Sequence, residues 1–243
     1  MIGDRTIELY TVDSTNAYLK RNYKNFPSET VVVAKKQTEG YGRRGNYWYS
    51  DKGGLWYSVL FKPSKRPMNP WHYVRIFSLS IYDVLTKYNI KAKIKWPNDI
   101  LVDDKKICGI ASEGIIKSKK PEAIIVGVGM NVNNEIPYEL RDIAVSLKEL
   151  IGREAKLEKL LYEINHRAYN SYYIKYLKDK SVSIITKKWL ERLNIKKGDI
   201  VSVKFNDSTE TARVIEITPD YVLIKDKNNN EKKLYAGDIS LQK

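Results

Sequence analysis

Two short segments of the sequence combine side chains that could bind an anion and transfer a group from it. Residues 40–45 (GYGRRG) set two arginines among three glycines, and residues 95–99 (KWPND) place a lysine, an amide and a carboxylate around a proline. Glycines let a ligand approach the backbone closely, and guanidinium groups donate paired hydrogen bonds to phosphate or carboxylate oxygens. Each segment also has an ordinary explanation: a flexible surface loop for the first, and a core tryptophan followed by an Asn-Asp turn for the second.

The spacing of the glycine loop matches G-x-G-x-x-G, but its context does not match a dinucleotide-binding fold. That fold needs a helix directly after the glycines to hold a pyrophosphate, whereas residues 46–54 (NYWYSDKGG) are rich in aromatic residues and glycine. The Walker A string G-x-x-x-x-G-K-[ST] does not occur in the sequence. We therefore expect an anion-binding loop of another kind.

Two further segments carry a lysine or glycines inside apolar strands. In residues 105–110 (KKICGI) a lysine enters an apolar run beside a glycine, and residues 127–133 (GVGMNVN) hold two glycines and then two amides. Interior glycines weaken a strand unless a ligand or another backbone must come close. All four segments fall beside strand ends or glycines, which is typical of a site built on a sheet.

The remaining reactive residue types favour structural roles. Cys108 is interpreted as a small buried hydrophobic residue rather than a nucleophile. His72 and His166 lie in helical patterns outside the four segments, and the tyrosines of residues 169–176 are interpreted as helix packing.

Composition excludes several classes of protein. The chain has 243 residues, 42% of them hydrophobic, which excludes global disorder. The longest apolar run, residues 123–130, is too short to cross a bilayer, and charged residues at the N-terminus do not fit a secretory signal, so we expect a cytoplasmic protein. A single cysteine excludes an intramolecular disulfide and a cysteine-based zinc site. The net charge of +14 indicates either an acidic partner (nucleic acid, acidic protein or small anion) or simply lysine-rich solvated faces.

Hydrophobic periodicity predicts an α+β protein with a mixed β-sheet, helices and a small C-terminal domain. Strands are predicted at Thr6–Val12, 30–36, 55–62, 92–96, 100–102, 106–116 and 123–130, and helices at 15–23, 69–88 and 157–193. Residues 37–54 form a long loop, a length that is usually functional. After Leu193, short alternating runs separated by turns such as Asn206-Asp207 predict a barrel, so residues 1–193 form one domain and residues 194–243 an SH3-like barrel.

The segments, taken in order, resemble the biotin protein ligase family. Its signature is Ser-Thr-Asn, a Gln, G-R-G-R-R-G, a Trp, K-W-P-N-D, a Lys three residues before a Gly, and G-x-G-x-N-x-N. This sequence matches it at residues 14–16, Gln37, residues 40–45, Trp48, residues 95–99, Lys106 with Gly109, and residues 127–133; residues 236–241 resemble the end of the family's C-terminal barrel. Only 13 residues precede Ser14, so we expect a short form without the N-terminal DNA-binding domain that some members carry, and no specific DNA binding.

The resemblance implies the class II synthetase-like fold of biotin and lipoate ligases and a two-step ligase reaction. Biotin reacts with ATP, with Mg²⁺ bound through the ATP phosphates and no protein metal site, to give biotinyl-5'-AMP. A lysine of a biotin carboxyl carrier protein then takes the biotinyl group. A homodimer is also expected from the resemblance.

The resemblance also assigns roles to individual residues. The catalytic residues are Lys106, which contacts the carboxylate and α-phosphate, Arg43, which holds the adenylate, and Asp99, which orients the incoming lysine. The biotin-binding residues are Ser14, Thr15, Asn16, Gln37, Gly40, Tyr41, Gly42, Arg43, Lys106, Gly109 and Gly127, of which Gly109 and Gly127 make room for biotin. The ATP- and adenylate-binding residues are Arg43, Arg44, Trp48, Asn98, Lys106 and Asn131, with Trp48 folding over the site as the loop closes.

Two positions depart from the family pattern. Tyr41 stands where the family has an arginine, and since a phenol cannot replace guanidinium charge we expect a looser grip on the adenylate or pyrophosphate side. Gln242 stands where an arginine is common, which puts a contact between the barrel and the nucleotide in doubt. Two alternatives stay open from sequence: a lipoate-protein ligase of the same fold, and a non-enzymatic nucleic-acid-binding module.

Overall fold

A seven-stranded mixed sheet forms the scaffold of the larger part of the chain. The computed structural model describes residues 1–62, 69–117, 120–179, 182–204, 209–235 and 241–242. The strands are β1 (Thr6–Val12), β2 (Val31–Gln37), β3 (Leu55–Phe61), β4 (Ala92–Lys95), β5 (Asp99–Val102), β6 (Lys105–Lys117) and β7 (Lys120–Met130). They lie in the order β1-β2-β3-β7-β6-β5-β4; β1 and β2 are parallel, and every other neighbouring pair is antiparallel.

The described residues contain six α-helices. They are α1 (Thr15–Asn22), α2 (Pro70–Lys87), α3 (Leu147–Ile151), α4 (Leu157–Arg167), α5 (Ile174–Asp179) and α6 (Val182–Glu191), with single turns of 3₁₀-helix at Tyr23–Asn25, Arg43–Gly45 and Tyr138–Leu140. No helix in the described ranges is long and apolar enough to cross a bilayer.

The helical pattern predicted for residues 157–193 is divided rather than continuous. A π-helical stretch at Ala168–Tyr173 separates α4 from α5. The wider turn changes the helical register, and Tyr172, Tyr173 and Tyr176 are all buried. The short helix α3 was not predicted, although Ser146 and Glu149 form a capping box at its start and Gly152 ends it with φ +71°.

All seven residues of strand β3 are buried. Because successive side chains of a strand point to opposite faces, both faces of the sheet must be covered at β3. Tyr57 and Phe61 point to one face, where they meet Phe77 and Tyr73 of α2. Leu60 points to the other face and packs in a smaller cluster with Leu19 of α1. The α1 face also carries the cavity described below.

A second, five-stranded antiparallel sheet forms the C-terminal part. Its strands are β8 (Ile200–Lys204), β9 (Thr209–Ile217), β10 (Tyr221–Asp226), β11 (Glu231–Tyr235) and β12 (Leu241–Gln242), in the order β11-β10-β9-β8-β12. This arrangement is consistent with the SH3-like barrel, and the α+β class is confirmed.

The two sheets share one hydrophobic core. Val203, Val214 and Ile224 belong to the same buried cluster as Trp96, whose indole Nε1 donates a hydrogen bond to the backbone oxygen of Thr218 (3.1 Å). The division at residue 193 stays a prediction. The predicted Asn206-Asp207 turn, residues 236–240 of the C-terminal resemblance and the side chain of Gln242 lie outside what the structure describes.

Candidate functional site

A cavity of about 300 Å³ opens on the α1 face of the large sheet. Loop residues 37–48, the start of α1 and the ends of β4 to β7 surround it. Its lining residues are Ser14, Thr15, Asn16, Gln37, Tyr41, Gly42, Arg43, Arg44, Asn46, Tyr47, Trp48, Tyr57, Lys95, Trp96, Pro97, Asn98, Asp99, Lys106, Gly109, Ile110, Ala111, Gly127, Val128 and Gly129. The separate sequence segments therefore meet in one place.

The floor of the cavity consists of small residues on neighbouring strands. Gly129 of β7 lies opposite Gly109 of β6, and Gly127 lies opposite Ala111. On the other side of β7, Ser58 of β3 lies opposite Gly127. Because side chains alternate along a strand, these positions share one face and leave room above it for side chains of the surrounding loops or for a ligand.

One end of the cavity is polar but uncharged. Gln37 accepts a hydrogen bond from the backbone nitrogen of Thr15 (2.8 Å) and donates from Nε2 to Ser50 (2.9 Å). Ser58 Oγ lies 2.7 Å from Thr15 Oγ1 and 2.6 Å from Asn16 Oδ1. These five side chains are buried, so their hydrogen bonds hold them in place.

Asn16 occupies the space above Gly127. A Cβ atom at Gly127 would lie 2.4 Å from Asn16 Oδ1, closer than atoms approach without displacement. The glycine was predicted to make room for biotin, and in this structure it makes room for the asparagine. Ser58 belongs to the same group and was missed, because its sequence context is an ordinary apolar strand.

Tyr41 lies beside the uncharged end. Its hydroxyl donates a hydrogen bond to Glu113 Oε1 (2.8 Å), and Asn16 Nδ2 donates to the same oxygen (3.0 Å). Burial, and then the bond to Glu113, raise the pKa of the Tyr41 phenol far above its ordinary value. Glu113, on β6, was not singled out in the sequence, because its strand gives no motif around it.

The opposite end carries charge. Lys106 Nζ lies 2.8 Å from Asp99 Oδ2, and the ring centre of Trp48 lies 4.7 Å from the same nitrogen. A Cβ atom at Gly109 would lie 3.2 Å from Lys106 Cε, so the glycine lets the lysine stem cross the sheet closely. The structure therefore brings Lys106, Asp99 and Trp48 together.

Arg43 extends this charged end. Its Nη1 donates to Asn98 Oδ1 (2.8 Å), and its guanidinium lies 5.7 Å from the ring centre of Trp71 in α2. Asn98 is fixed in turn, since its Nδ2 donates to the backbone oxygen of Ile110 (2.9 Å). The cis peptide between Trp96 and Pro97 precedes this asparagine.

Two more cations line the cavity. Arg44 has φ +60°, a left-handed conformation that an L-residue rarely adopts, and its side chain is exposed. Burial lowers the pKa of Lys95, with Asp99 acting in the opposite direction. A cavity end lined by Arg43, Arg44, Lys95 and Lys106 suits a ligand with several negative oxygens.

Two predicted site residues do not line the cavity. Asn131 is buried in the loop after β7, where its amide lies 3.5 Å from the backbone oxygen of Lys106 and accepts from Asn134. Gly40 lies behind the uncharged end, where a Cβ atom would approach Ser50 Oγ to 2.4 Å. Both residues contact the segments that carry the lining residues.

Gly129 gives Trp48 its position. A Cβ atom at Gly129 would lie 2.5 Å from Trp48 Nε1. That nitrogen is buried and has no hydrogen-bond partner among the described residues. Gly109, Gly127 and Gly129, as glycines inside apolar strands, were the sequence signal for this floor.

The structural interpretations of Cys108 and His72 agree with their surroundings. Cys108 is fully buried and free, and burial raises the pKa of its thiol. His72 Nδ1 lies 3.0 Å from the hydroxyl of Tyr176. Within the described parts of the chain, no three His, Cys, Asp or Glu side chains come together as a metal site.

Comparisons with known proteins agree with this site. Residues 8–131 match the model of the biotin/lipoate A/B protein ligase family. A relative from Bacillus subtilis, the bifunctional ligase/repressor BirA, is 30% identical over 228 residues, covering 89% of this chain and 67% of its own. The biotin--[acetyl-CoA-carboxylase] ligase of Paracoccus denitrificans is 29% identical over 127 residues, 51% of this chain and 53% of its own.

A solved structure also has the same fold. The biotin protein ligase from Aquifex aeolicus in complex with biotin and ATP superimposes with a TM-score of 0.81 at 30% identity, covering 99% of this chain and 100% of that one. The family model spans half of the sequence and contains the loop, strand and lysine segments that form the cavity. The chain belongs to the biotin/lipoate A/B protein ligase family.

Proposed function

We propose that this protein is an ATP-dependent biotin protein ligase. It activates biotin as biotinyl-5'-AMP and transfers the biotinyl group to a lysine of a biotin carboxyl carrier protein. The observation that carries the proposal is the polarity of the cavity, which is neutral at the Thr15 end and cationic at the Lys106 end. Biotin has the matching polarity, with a neutral ureido ring at one end and a carboxylate at the other.

The first step joins two anions, so electrostatics dominates its barrier. A carboxylate oxygen of biotin attacks the α-phosphorus of ATP, the bond to the β-phosphate oxygen breaks, and pyrophosphate leaves. Lys106 and Arg43 stand where fixed cations would offset the repulsion and the charge that develops on the phosphoryl oxygens. Their contacts with Asp99 and Asn98 hold them before the substrates bind.

The second step needs an unprotonated amine. The acceptor lysine nitrogen attacks the carbonyl carbon of the adenylate, the bond to the phosphate oxygen breaks, and AMP leaves while the amine loses a proton. Among the described residues that line the cavity, Asp99 carries the carboxylate. We assign Asp99 to orient that amine. Trp48 covers the charged end against water, which would otherwise hydrolyse the mixed anhydride.

Magnesium enters this reaction with ATP. The carboxylate at the charged end, Asp99, is paired with Lys106 at 2.8 Å, and the described residues contain no metal-binding cluster. Mg²⁺ would be held by the ATP phosphates, where it would neutralise charge on pyrophosphate, and the residues of the chain supply the cations around the α-phosphate.

Biotin rather than lipoate is the assigned substrate because the relative from Paracoccus denitrificans and the superimposed structure from Aquifex aeolicus are named as biotin ligases. The homodimer, the cytoplasmic location and the absence of specific DNA binding stay predictions.

The direct test of the overall reaction uses a biotin carboxyl carrier domain as acceptor. With biotin and MgATP, intact-mass measurement should show one biotinyl group per carrier, on its target lysine, and AMP should be released. Lipoate in place of biotin should give no adduct. Modification by lipoate alone would instead identify a lipoate ligase, and no modification with either acid would contradict ligase activity toward this acceptor.

A further inference from the structure

Glu113 carries no role in the reaction described so far, yet it accepts hydrogen bonds from three side chains. Asn16 of α1 and Tyr41 of the glycine loop both donate to Oε1, at 3.0 and 2.8 Å. Lys20 of α1 donates to Oε2 at 3.1 Å. The carboxylate is half-buried, with 26% of the side chain exposed, at the edge of the uncharged end of the cavity.

The charge state of Glu113 follows from these donors. Burial alone would raise its pKa, but the hydrogen bonds from Tyr41, Lys20 and Asn16 outweigh burial, and the net pKa is lowered. Near neutral pH the group is therefore a carboxylate that can only accept hydrogen bonds. Asn16 must then present its Nδ2, and not its Oδ1, to Glu113.

The orientation of Asn16 sets the direction of the next hydrogen bond. Asn16 Oδ1 faces Ser58 Oγ at 2.6 Å, and an amide oxygen can only accept. The single hydroxyl hydrogen of Ser58 is thereby committed to Asn16. Thr15 Oγ1 then has one hydroxyl hydrogen for two acceptors, Ser58 Oγ at 2.7 Å and Gln37 Oε1 at 3.1 Å.

We propose that Glu113 is a positioning residue that fixes the donors and acceptors at the uncharged end of the cavity, and so selects the ureido ring of the ligand. Tyr41 supports it by donating a neutral hydrogen bond where the family has an arginine. Asn16 keeps a second Nδ2 hydrogen that meets no partner among the described residues and is available to a carbonyl oxygen. This inference rests on the proposed biotin ligase function.

The position of Tyr41 also changes the expectation drawn from its residue type. Its hydroxyl binds Glu113 at the uncharged end, whereas Arg43, Asn98 and Lys106 form the charged end. A change at Tyr41 should therefore alter the affinity for biotin more than the retention of the nucleotide.

The test replaces the carboxylate with an amide of the same size. In Glu113→Gln the new side chain can donate as well as accept hydrogen bonds. The Asn16 amide can then rotate by 180°, and its hydrogen bonds to residue 113 and Ser58 no longer have one fixed donor and acceptor. The KM for biotin in pyrophosphate exchange should rise about tenfold or more, while the KM for ATP stays within about twofold. Tyr41→Phe should raise the KM for biotin by a smaller factor.

A second readout separates positioning from folding. In 2-iminobiotin a nitrogen replaces the ureido oxygen, and the resulting guanidine is protonated near neutral pH, so a neutral acceptor becomes a cationic N–H donor. The wild-type enzyme should bind biotin much more tightly than 2-iminobiotin. In Glu113→Gln the ratio of the two affinities should be smaller. A general loss of packing would instead weaken the binding of both ligands by the same factor.

The chain offers a matched control on the same sheet. Tyr23 donates to Glu122 in a second tyrosine–glutamate pair, and neither residue lines the cavity. Glu122→Gln should leave both KM values unchanged. If wild-type exchange depends on biotin but Glu113→Gln keeps the wild-type KM and analogue preference, the inference is wrong and the proposed function stands. If the wild-type enzyme shows no biotin-dependent exchange, the proposed function itself fails.

Discussion

Lys106 Nζ lies 2.8 Å from Oδ2 of Asp99, and these two residues come from neighbouring antiparallel strands, β6 and β5. The carboxylate holds the ammonium group over the cavity instead of leaving it to solvent. Roughly a third of the Lys106 side chain is exposed (31%), so the pair is accessible to a ligand. The pair therefore serves to place a cation, and a pair this exposed contributes little to stability.

Asp99→Asn should slow the two chemical steps by different factors. The amide keeps the size but loses the charge that holds Lys106, so adenylate formation should slow by about tenfold, and transfer to the acceptor should slow more because the amine is no longer oriented. Pyrophosphate exchange measures the first step, and single-turnover transfer from the preformed adenylate complex measures the second. Asp104→Asn, on the exposed turn before β6, is the control. Wild-type rates for both steps in Asp99→Asn would refute this role.

Gly129→Ala should displace Trp48 from the charged end. The new Cβ atom would lie 2.5 Å from Trp48 Nε1, and the indole belongs to a loop, so the ring can move while the strand stays in place. Adenylate formation should fall by about tenfold as water enters, with a loss of about 1 kcal/mol in unfolding free energy. Exchange rates and chemical denaturation measure the two effects.

The matched variant for this test is Gly114→Ala on β6. A Cβ atom there meets only Pro70 Cγ, at 3.8 Å, which is an ordinary contact. Its exchange rate should equal that of the wild type. Equal rates for Gly114→Ala and Gly129→Ala would mean that the position of Trp48 is unimportant.

His72 should make the fold less stable in acid. Burial, and then the nearby charge of Arg75, lower the pKa of His72 to about 4. The unfolded chain, with an ordinary histidine pKa near 6.5, binds the proton first, so stability is lost as the pH falls from about 6.5 toward 4. Because the ring is partly exposed to solvent, we expect a loss of about 1 to 2 kcal/mol across that window.

Denaturation at several pH values measures this effect. His72→Gln cannot titrate and should show a flatter dependence between pH 6.5 and 4, whereas the same change at the exposed His166 should leave the wild-type slope. A slope in His72→Gln as steep as that of the wild type would assign the acid sensitivity to other groups.

Much of the scaffold follows from local patterns. The strands of the large sheet and the long loop at residues 37–54 were predicted from alternation and glycine content, and the structure has them within a few residues. The segments that carry Lys106 and Asn98 were found because a charged or amide side chain at a strand end or beside an interior glycine is conspicuous.

The residues that escaped prediction depend on register between strands that are distant in sequence. Ser58 and Ala111 meet the predicted Gly127 in one row only because β3, β7 and β6 are neighbours in the sheet. Glu113 shares that face, but nothing in its own strand marks it. Asn131 is the opposite case, because its motif was evident in the sequence but its side chain does not line the cavity. Its amide instead lies 3.5 Å from the backbone oxygen of Lys106.

The central claim is that this chain activates biotin with ATP through a cation held at Lys106. Biotin-dependent exchange of pyrophosphate into ATP tests it most directly, with Lys106→Ala and with the neighbouring Lys105→Ala as matched control, since Lys105 Nζ donates to the backbone oxygen of Arg141 and Lys105 does not line the cavity. We expect exchange with biotin and not with lipoate, a loss of about 100- to 1,000-fold in Lys106→Ala, and the wild-type rate in Lys105→Ala. No exchange with biotin, or an unimpaired Lys106→Ala, would contradict the account.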